Sequence, residues 1–218
     1  MNDEGALRDA AVQAMRQLDA RGLNRGSTGN LSLRCARQGG GMLVTPTGIA
    51  ADALLPQQLA WIGDDGQIDG EWQPSSEWRM HQAVLARRGE LMAVVHTHSV
   101  HATALACLQR ELPPFHYMVA VAGAERVPCV PYHVFGSEAL SQAVAQGLAG
   151  GNACLLAQHG LVAAGATLEQ ALKVAVEIEA LCEIYLKALA VAEPACLSAA
   201  QMAEVLERFS RYGRSRRR

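Results

Sequence analysis

Apolar and polar positions along the chain follow two periods, one of helices and one of strands. In residues 5–21, Leu7, Ala10, Ala11, Ala14, Met15 and Leu18 fall on one helical face, and Gly22 is a natural stop. Leu31-Ser-Leu-Arg34 alternates as a strand does. After the glycines at 39–41, Met42-Leu-Val44 is a second strand, and the two predict a hairpin. Pro74-Ser75-Ser76 opens a helix running to about Arg88, with Gly89 closing it. Leu91 to Val95 is a short apolar run of the kind found in buried strands. Val100 to Leu108 fits a helix that Leu112–Pro114 interrupts, and the prolines of Val127-Pro-Cys-Val-Pro131 hold that stretch extended.

Ser137 caps a helix to Leu148, and Ala153 to Ala157 is another buried strand. Thr167-x-x-Gln170 matches a capping box. Leu168, Ala171, Leu172, Ala175, Ile178, Cys182, Tyr185 and Leu189 then mark a long amphipathic helix. A last helix spans about Ser198 to Tyr212. With no internal repeat and no low-complexity linker, the pattern predicts one compact α/β domain over residues 1–212.

Composition narrows the function classes. The chain has 218 residues, 50% of them hydrophobic, so it can bury a sizeable core. With 18% charged residues and a net charge of -2, it is neither a disordered acidic protein nor a broadly basic nucleic-acid binder. Aromatics at 5% also disfavour base-stacking surfaces. No run reaches ~18 uninterrupted apolar residues and the first residues lack a signal-peptide pattern, so no membrane association is expected. Six scattered cysteines without a C-x-x-C pair suit reduced thiols in a cytoplasmic protein. Residues 208–218 hold six arginines; the tail at 213–218 is expected to be a disordered, solvated end, with attraction of an anionic substrate as the alternative.

Two constellations carry candidate chemistry. His96-Thr97-His98 follows the Leu91–Val95 strand, where alternate residues share a face. His159 follows the second buried strand, with Gly160 allowing a close turn. Three histidines at strand ends suit a catalytic zinc site with an open position, although His159 could equally be a hydrogen-bonded core residue. His81, His101, His116 and His133 fit structural or supporting roles better than ligation. Glu77, in the first turn after Pro74-Ser75-Ser76, is either a reactive acid or an ordinary helix-dipole partner. The second constellation suits an anion: Ser75 and Ser76 at a helix N-terminus, with the turns Gly26-Ser27-Thr28-Gly29-Asn30 and Thr45-Pro46-Thr47-Gly48. Neither a P-loop nor a dinucleotide fingerprint is present.

Taken in order, Gly29-Asn30, Thr47-Gly48, Pro74-Ser75-Ser76-Glu77, His96-x-His98 and Gln158-His159-Gly160 resemble the class II aldolase/adducin family over about residues 5–212. Within it, His116-Tyr117-Met118, Val127-Pro-Cys-Val-Pro-Tyr132, Phe135-Gly136 and Tyr212-Gly213 are most similar to its L-fuculose-1-phosphate aldolases. The resemblance implies an α+β fold with a central, mainly antiparallel sheet flanked by helices, in a fourfold homotetramer with active sites at subunit interfaces. It implies one Zn2+, or another divalent metal, per subunit, on His96, His98 and His159, with Glu77 as acid/base and as a ligand in the absence of substrate. Gly29, Asn30, Thr47, Gly48, Ser75 and Ser76 would bind the phosphate of a small sugar phosphate. Tyr117 would donate a proton in a neighbouring subunit's site, and Tyr212 and Phe135 would contact substrate.

The implied reaction cleaves a 1-phosphoketose, such as L-fuculose 1-phosphate, into dihydroxyacetone phosphate and an aldehyde by metal-stabilised enediolate chemistry. Thr97, Gln158 and His133 depart from the pattern of fuculose-phosphate aldolases and bear on the aldehyde half of the pocket. 5-Deoxyribulose 1-phosphate and 5-methylthioribulose 1-phosphate are therefore alternative substrates. A pentulose-5-phosphate 4-epimerase, a methylthioribulose-phosphate dehydratase and a non-catalytic adducin-like binding module are weaker alternatives. The chain has only two lysines, Lys173 and Lys187, both on the helix after Thr167 and away from every motif. An aldolase working through a Schiff base needs a lysine in its pocket, so the electrons of carbon–carbon cleavage must go to a metal.

Overall fold

The computed structural model describes residues 3–35, 37 and 40–211. Eight strands form one sheet: β1 (Asn30–Arg34), β2 (Met42–Val44), β3 (Ala60–Ile62), β4 (Ile68–Asp69), β5 (Ala93–Thr97), β6 (Cys129–Val130), β7 (Ala153–Leu156) and β8 (Gly160–Gly165). Six helices accompany them: α1 (Glu4–Ala20), α2 (Trp78–Arg87), α3 (Val100–Cys107), α4 (Glu138–Gly147), α5 (Leu168–Leu189) and α6 (Ala199–Arg211). The strand order is β4-β3-β2-β1-β5-β8-β7-β6, and only the β6–β7 pair is parallel. The mainly antiparallel sheet with flanking helices is the expected fold.

Alternation along each central strand sends side chains to two separate cores. Leu31 and Leu33 of β1, Ala93 and Val95 of β5, and Leu161 and Ala163 of β8 pack with α1, α3, α5 and α6. Val94 of β5, Val162 and Ala164 of β8, and Cys154 and Leu156 of β7 pack with α2 and α4. A strand covered on both faces has no polar side to show, which is why β5 and β7 read as continuous apolar runs. N-caps start α4 and α5 where the sequence places them: Ser137 Oγ accepts from Leu140 N, and Thr167 Oγ1 accepts from Gln170 N.

The boundaries differ in ways that matter for the site. Strand β5 extends through Thr97, so His96 lies within the strand and His98 directly after it. Helix α2 begins at Trp78, not at Pro74; Glu77 is its N-cap position, and Pro74–Ser76 form an extended turn bridged to Pro46. The short strands β3 and β4 and the six-residue β8 have no signature in the pattern. Gly39, Tyr212 and the tail at 213–218 lie outside the described residues. All six cysteines are free, as expected, and no helix among the described residues is long and apolar enough to cross a membrane.

Candidate functional site

Sheet register assembles the site. Asn30 of β1 stands directly opposite His96 of β5, and His96 opposite Val162 of β8. His96 and Asn30 therefore sit side by side on the face that carries α2, at the end of the sheet where α2 begins. The β7–β8 turn returns His159 to the same point. Gly160 makes this possible: a Cβ there would stand 2.4 Å from Thr97 O, 3.2 Å from His98 Cδ2 and 3.4 Å from His96 Cε1.

The three imidazoles form a nearly threefold cluster, with ring centroids 4.8, 4.8 and 4.9 Å apart and rings 74–78° to one another. His96 Nε2 is 3.0 Å from His98 Nε2 and 3.3 Å from Glu77 Oε2, and His159 Nε2 is 3.3 Å from Glu77 Oε1. Nitrogens held at about 2.1 Å from one ion at tetrahedral angles stand about 3.4 Å from each other, so these spacings are those of a closed coordination shell. One ligand atom from each of the four residues lies within 4.8 Å of all the others.

Two further observations say that a cation fits here. His96 Nδ1–H donates to Leu161 O at 3.0 Å, which turns the Nε2 lone pair inwards, the usual outer support of a ligating histidine. Glu77 Oε1 is buried without a hydrogen-bond partner among the described residues. Three imidazoles and a carboxylate form a donor set suited to zinc and its divalent neighbours.

Electrostatics keep this set in its binding form. Burial drives His96 down to about 3, against the pull of Glu77, and His98 is lowered chiefly by burial as well. Burial pushes Glu77 up, but His96, His159 and the Asn30 amide outweigh it, so the carboxyl stays below its ordinary range. The reading of Glu77 as a helix-dipole partner fails on geometry, because its side chain makes no cap hydrogen bond to α2 and turns to the imidazoles instead.

Behind Glu77 runs a buried relay. Asn30 Nδ2 donates to Glu77 Oε2 at 3.0 Å, Asn30 Oδ1 is 2.5 Å from His81 Nε2, and His81 Nδ1 is 2.8 Å from Ser32 Oγ. His81 is fully buried, and burial lowers it to about 4, so it is a neutral imidazole whose Nε2–H serves Asn30 and whose Nδ1 accepts from Ser32. Asn30 thus holds Glu77 while also bordering the cavity. Among the other histidines, His101 Nδ1 pairs with Glu179 at 2.9 Å, and His116 accepts from Met118 N, both structural.

A cavity of about 360 Å³ opens beside the cluster. One wall is the three polar turns, with Ser27, Thr28, Gly29, Asn30, Thr47, Gly48, Ser75 and Ser76. Backbone bonds lock two of these turns together: Thr47 N donates to Gln73 O and Ser75 N to Thr45 O. Glu77, His98, His159, Tyr132, His133, Phe135 and Gln158 complete the lining, and Gly136 brings the Tyr132–Phe135 loop against Ser76, where a Cβ would stand 2.8 Å from its carbonyl oxygen. Every expected phosphate-contact residue borders this cavity, as does Phe135. Tyr117 does not; it is 51% exposed and stacks on His116. Sequence reasoning left Tyr132 out of this lining. Gln158 sits in the left-handed region (φ 53°) in the tight turn before His159. Lys173 and Lys187 lie on α5, across the sheet from Glu77 and the imidazoles, so no lysine borders the cavity.

Comparison with known proteins agrees with this geometry. The model of the Class II Aldolase and Adducin N-terminal domain matches residues 9–186. A 5-methylthioribulose-1-phosphate/5-deoxyribulose-1-phosphate aldolase of Rhodospirillum rubrum is 47% identical over 95% of this chain and 93% of its own. An L-fuculose phosphate aldolase of Escherichia coli K12 is 45% identical over 88% of each chain. A solved L-fuculose 1-phosphate aldolase superposes with a TM-score of 0.89 at 33% identity, over 93% of this chain and 95% of that one. With the metal cluster intact and the match running through nearly its whole length, the chain belongs to the class II aldolase/adducin family, as one of its metal-dependent aldolases.

Proposed function

We propose that this enzyme cleaves a 1-phosphoketose into dihydroxyacetone phosphate and a short aldehyde. The observation that carries the reading is the position of Glu77 between the imidazole cluster and the polar turns, with one carboxylate oxygen held by Asn30 and the other unbonded.

His96, His98 and His159 would hold the ion, with Glu77 as the fourth donor, and zinc is the metal we assign. The ion supplies Lewis-acid stabilisation of the negative charge that carbon–carbon cleavage leaves on the ketose fragment. Glu77 would serve either as a donor or, with substrate bound, as a free carboxylate. Its carboxylate, steered by Asn30, then stands beside the carbon that gains or loses the proton of the enediolate. The turns at Gly29, Thr47–Gly48 and Ser75–Ser76 take the phosphate, with the N-terminus of α2 behind them, and anchor the substrate away from the reacting bond. Exposure of Tyr117 supports its reach into a second copy's cavity, where its hydroxyl exchanges the proton of the aldehyde oxygen. That role needs a second copy of the chain, and the fourfold homotetramer is what the family resemblance implies.

The cavity also carries aromatic surface. Tyr132 and Phe135 are 59% and 65% exposed and border the cavity, offering aromatic surface to a methylthio group. With the 47% identity to a 5-methylthioribulose-1-phosphate/5-deoxyribulose-1-phosphate aldolase beside 45% to an L-fuculose phosphate aldolase, we rank 5-methylthioribulose 1-phosphate and 5-deoxyribulose 1-phosphate ahead of L-fuculose 1-phosphate. The test is release of dihydroxyacetone phosphate from a panel of 1-phosphoketoses by the metal-loaded protein. Release is expected, with the highest kcat/KM for the 5-methylthio or 5-deoxy pentulose. No release from any member overturns the reaction, and a preference for the fuculose ester overturns the ranking.

A further inference from the structure

Asn24 lies just before the first polar turn and is 3% exposed. Neither its Oδ1 nor its Nδ2 has a hydrogen-bond partner among the described residues. Buried amides are nearly always paired, and an unmatched one costs free energy of folding. The neighbouring polar groups show no such slack: Thr28 Oγ1 donates to Arg25 O and accepts from Arg25 N, and both amide atoms of Asn30 are engaged.

The place of the orphan amide is informative. Gly29 has φ +75°, and a Cβ there would stand 2.3 Å from Asn24 Oδ1, 2.7 Å from Cγ and 2.8 Å from Nδ2. The amide therefore lies directly against the Gly29 backbone. Gly29 borders the cavity and Asn24 does not, so the glycine stands between the amide and whatever anion the turn binds. Any residue with a side chain at 29 would separate the two.

We propose that Asn24 is a positioning residue for the phosphate-binding turn. When a phosphate draws the turn's N–H groups towards the cavity, the peptide groups flanking Gly29 rotate, and the Asn24 amide gains the partners it lacks in the free protein. Binding of the phosphate thereby satisfies a group that folding leaves unsatisfied, and part of the substrate affinity comes from a residue that never touches it. The inference rests on the proposal that this turn binds phosphate.

The experiment compares the metal-loaded full-length protein with Asn24→Leu and Asn24→Ala. Dihydroxyacetone phosphate and inorganic phosphate are the calorimetric probes, and thermal midpoints are recorded without ligand. Both probes are expected to bind about tenfold more weakly to the variants, about 1.4 kcal/mol, with KM for the phosphoketose rising and kcat within about twofold. The ligand-free midpoint is expected to stay or rise in Asn24→Leu, because the unmatched amide is gone; Asn24→Ala carries the binding test if the leucine variant does not fold. Unchanged affinity for the probes overturns the proposal, as does a midpoint that falls in both variants, which marks Asn24 as an ordinary structural residue. Failure of the wild-type protein to bind either probe removes the phosphate-turn reading first, and is seen before any variant is made.

Discussion

The two ends of the cavity are held by different means. At the imidazole end, His96 lies within a paired strand, its ring is oriented by Leu161 O, and its neighbours crowd the site closely enough to exclude even a methyl group at Gly160. At the end proposed to take the anion, the lining stands on three turns where room varies: a Cβ at Gly48 would meet nothing within 4 Å, while one at Gly29 would stand 2.3 Å from Asn24 Oδ1. A metal tolerates little displacement of its ligands, and here His96 stands on a strand while His98 and His159 directly adjoin strand ends. A phosphate presents several equivalent oxygens, and turns that adjust around it serve as well. Substitutions at the first end should therefore act on metal retention and the chemical step, and those at the second on KM.

The largest expected effect is loss of a ligand. Replacing His98 with Ala should empty the site of metal, read by elemental analysis of the purified protein, and lower kcat/KM by about a thousandfold or more, since the Lewis acid contributes several kcal/mol. Retained metal and activity would break the comparison at its base. Glu77→Gln separates binding from chemistry: the metal should remain on the three histidines while kcat falls by about a hundredfold or more and exchange of the dihydroxyacetone phosphate carbon-bound proton with solvent stops. Continued exchange would mean that another group moves the proton.

His81 is the next step down. It reaches Glu77 only through Asn30, so His81→Gln should lower kcat about tenfold, in the range seen for groups that orient a metal site from outside. Its pH signature is separate. His81 is held at about 4 in the folded chain by burial, against about 6.5 for a free imidazole. The unfolded chain thus binds a proton that the folded chain refuses between those values. The stability it protects is present above about pH 6.5 and is lost as pH falls towards 4. The glutamine variant should show a shallower decline of its thermal midpoint across that window; an equal slope would place the proton uptake elsewhere.

How much of this was legible depends on whether local pattern or sheet register decides. The runs Leu91–Val95 and Ala153–Ala157 announced β5 and β7 because burial on both faces leaves an unbroken apolar stretch. The histidines after them announced a metal for the same local reason. β8 was silent: Gly160-Leu-Val-Ala-Ala-Gly165 is rich in glycine and alanine, and only its pairing with both neighbours makes it a strand. The relay from Ser32 through His81 and Asn30 to Glu77 was illegible too, since it exists only because Asn30 falls opposite His96. The resemblance puts Asn30 among the phosphate contacts; the structure shows it bordering the cavity, and its hold on Glu77 needed three dimensions. Helix α2 began later than Pro74 suggested because the preceding residues pair with the Pro46 turn instead of coiling.

The smallest effects are the sharpest test of the comparison, because they come from adding one methyl group at each end. Gly160→Ala puts a carbon 2.4 Å from Thr97 O and within 3.4 Å of two imidazoles. The neighbours are a paired strand and two ligands, none of which can yield cheaply, so overpacking should cost about 1–3 kcal/mol, appearing as weaker metal affinity and a lower kcat with KM little changed. Gly48→Ala meets no atom, but Gly48 has φ +73°, where an L residue is strained by about 1 kcal/mol. Thr47 N and Thr45 O are tied to the neighbouring turn, so the strain falls on the open side of Gly48, away from the imidazoles, and KM should rise a few-fold while metal content and kcat hold. If the two substitutions instead lowered metal affinity and raised KM alike, the cavity would behave as one rigid unit, and the division between a stiff metal end and an adjustable anion end would be wrong.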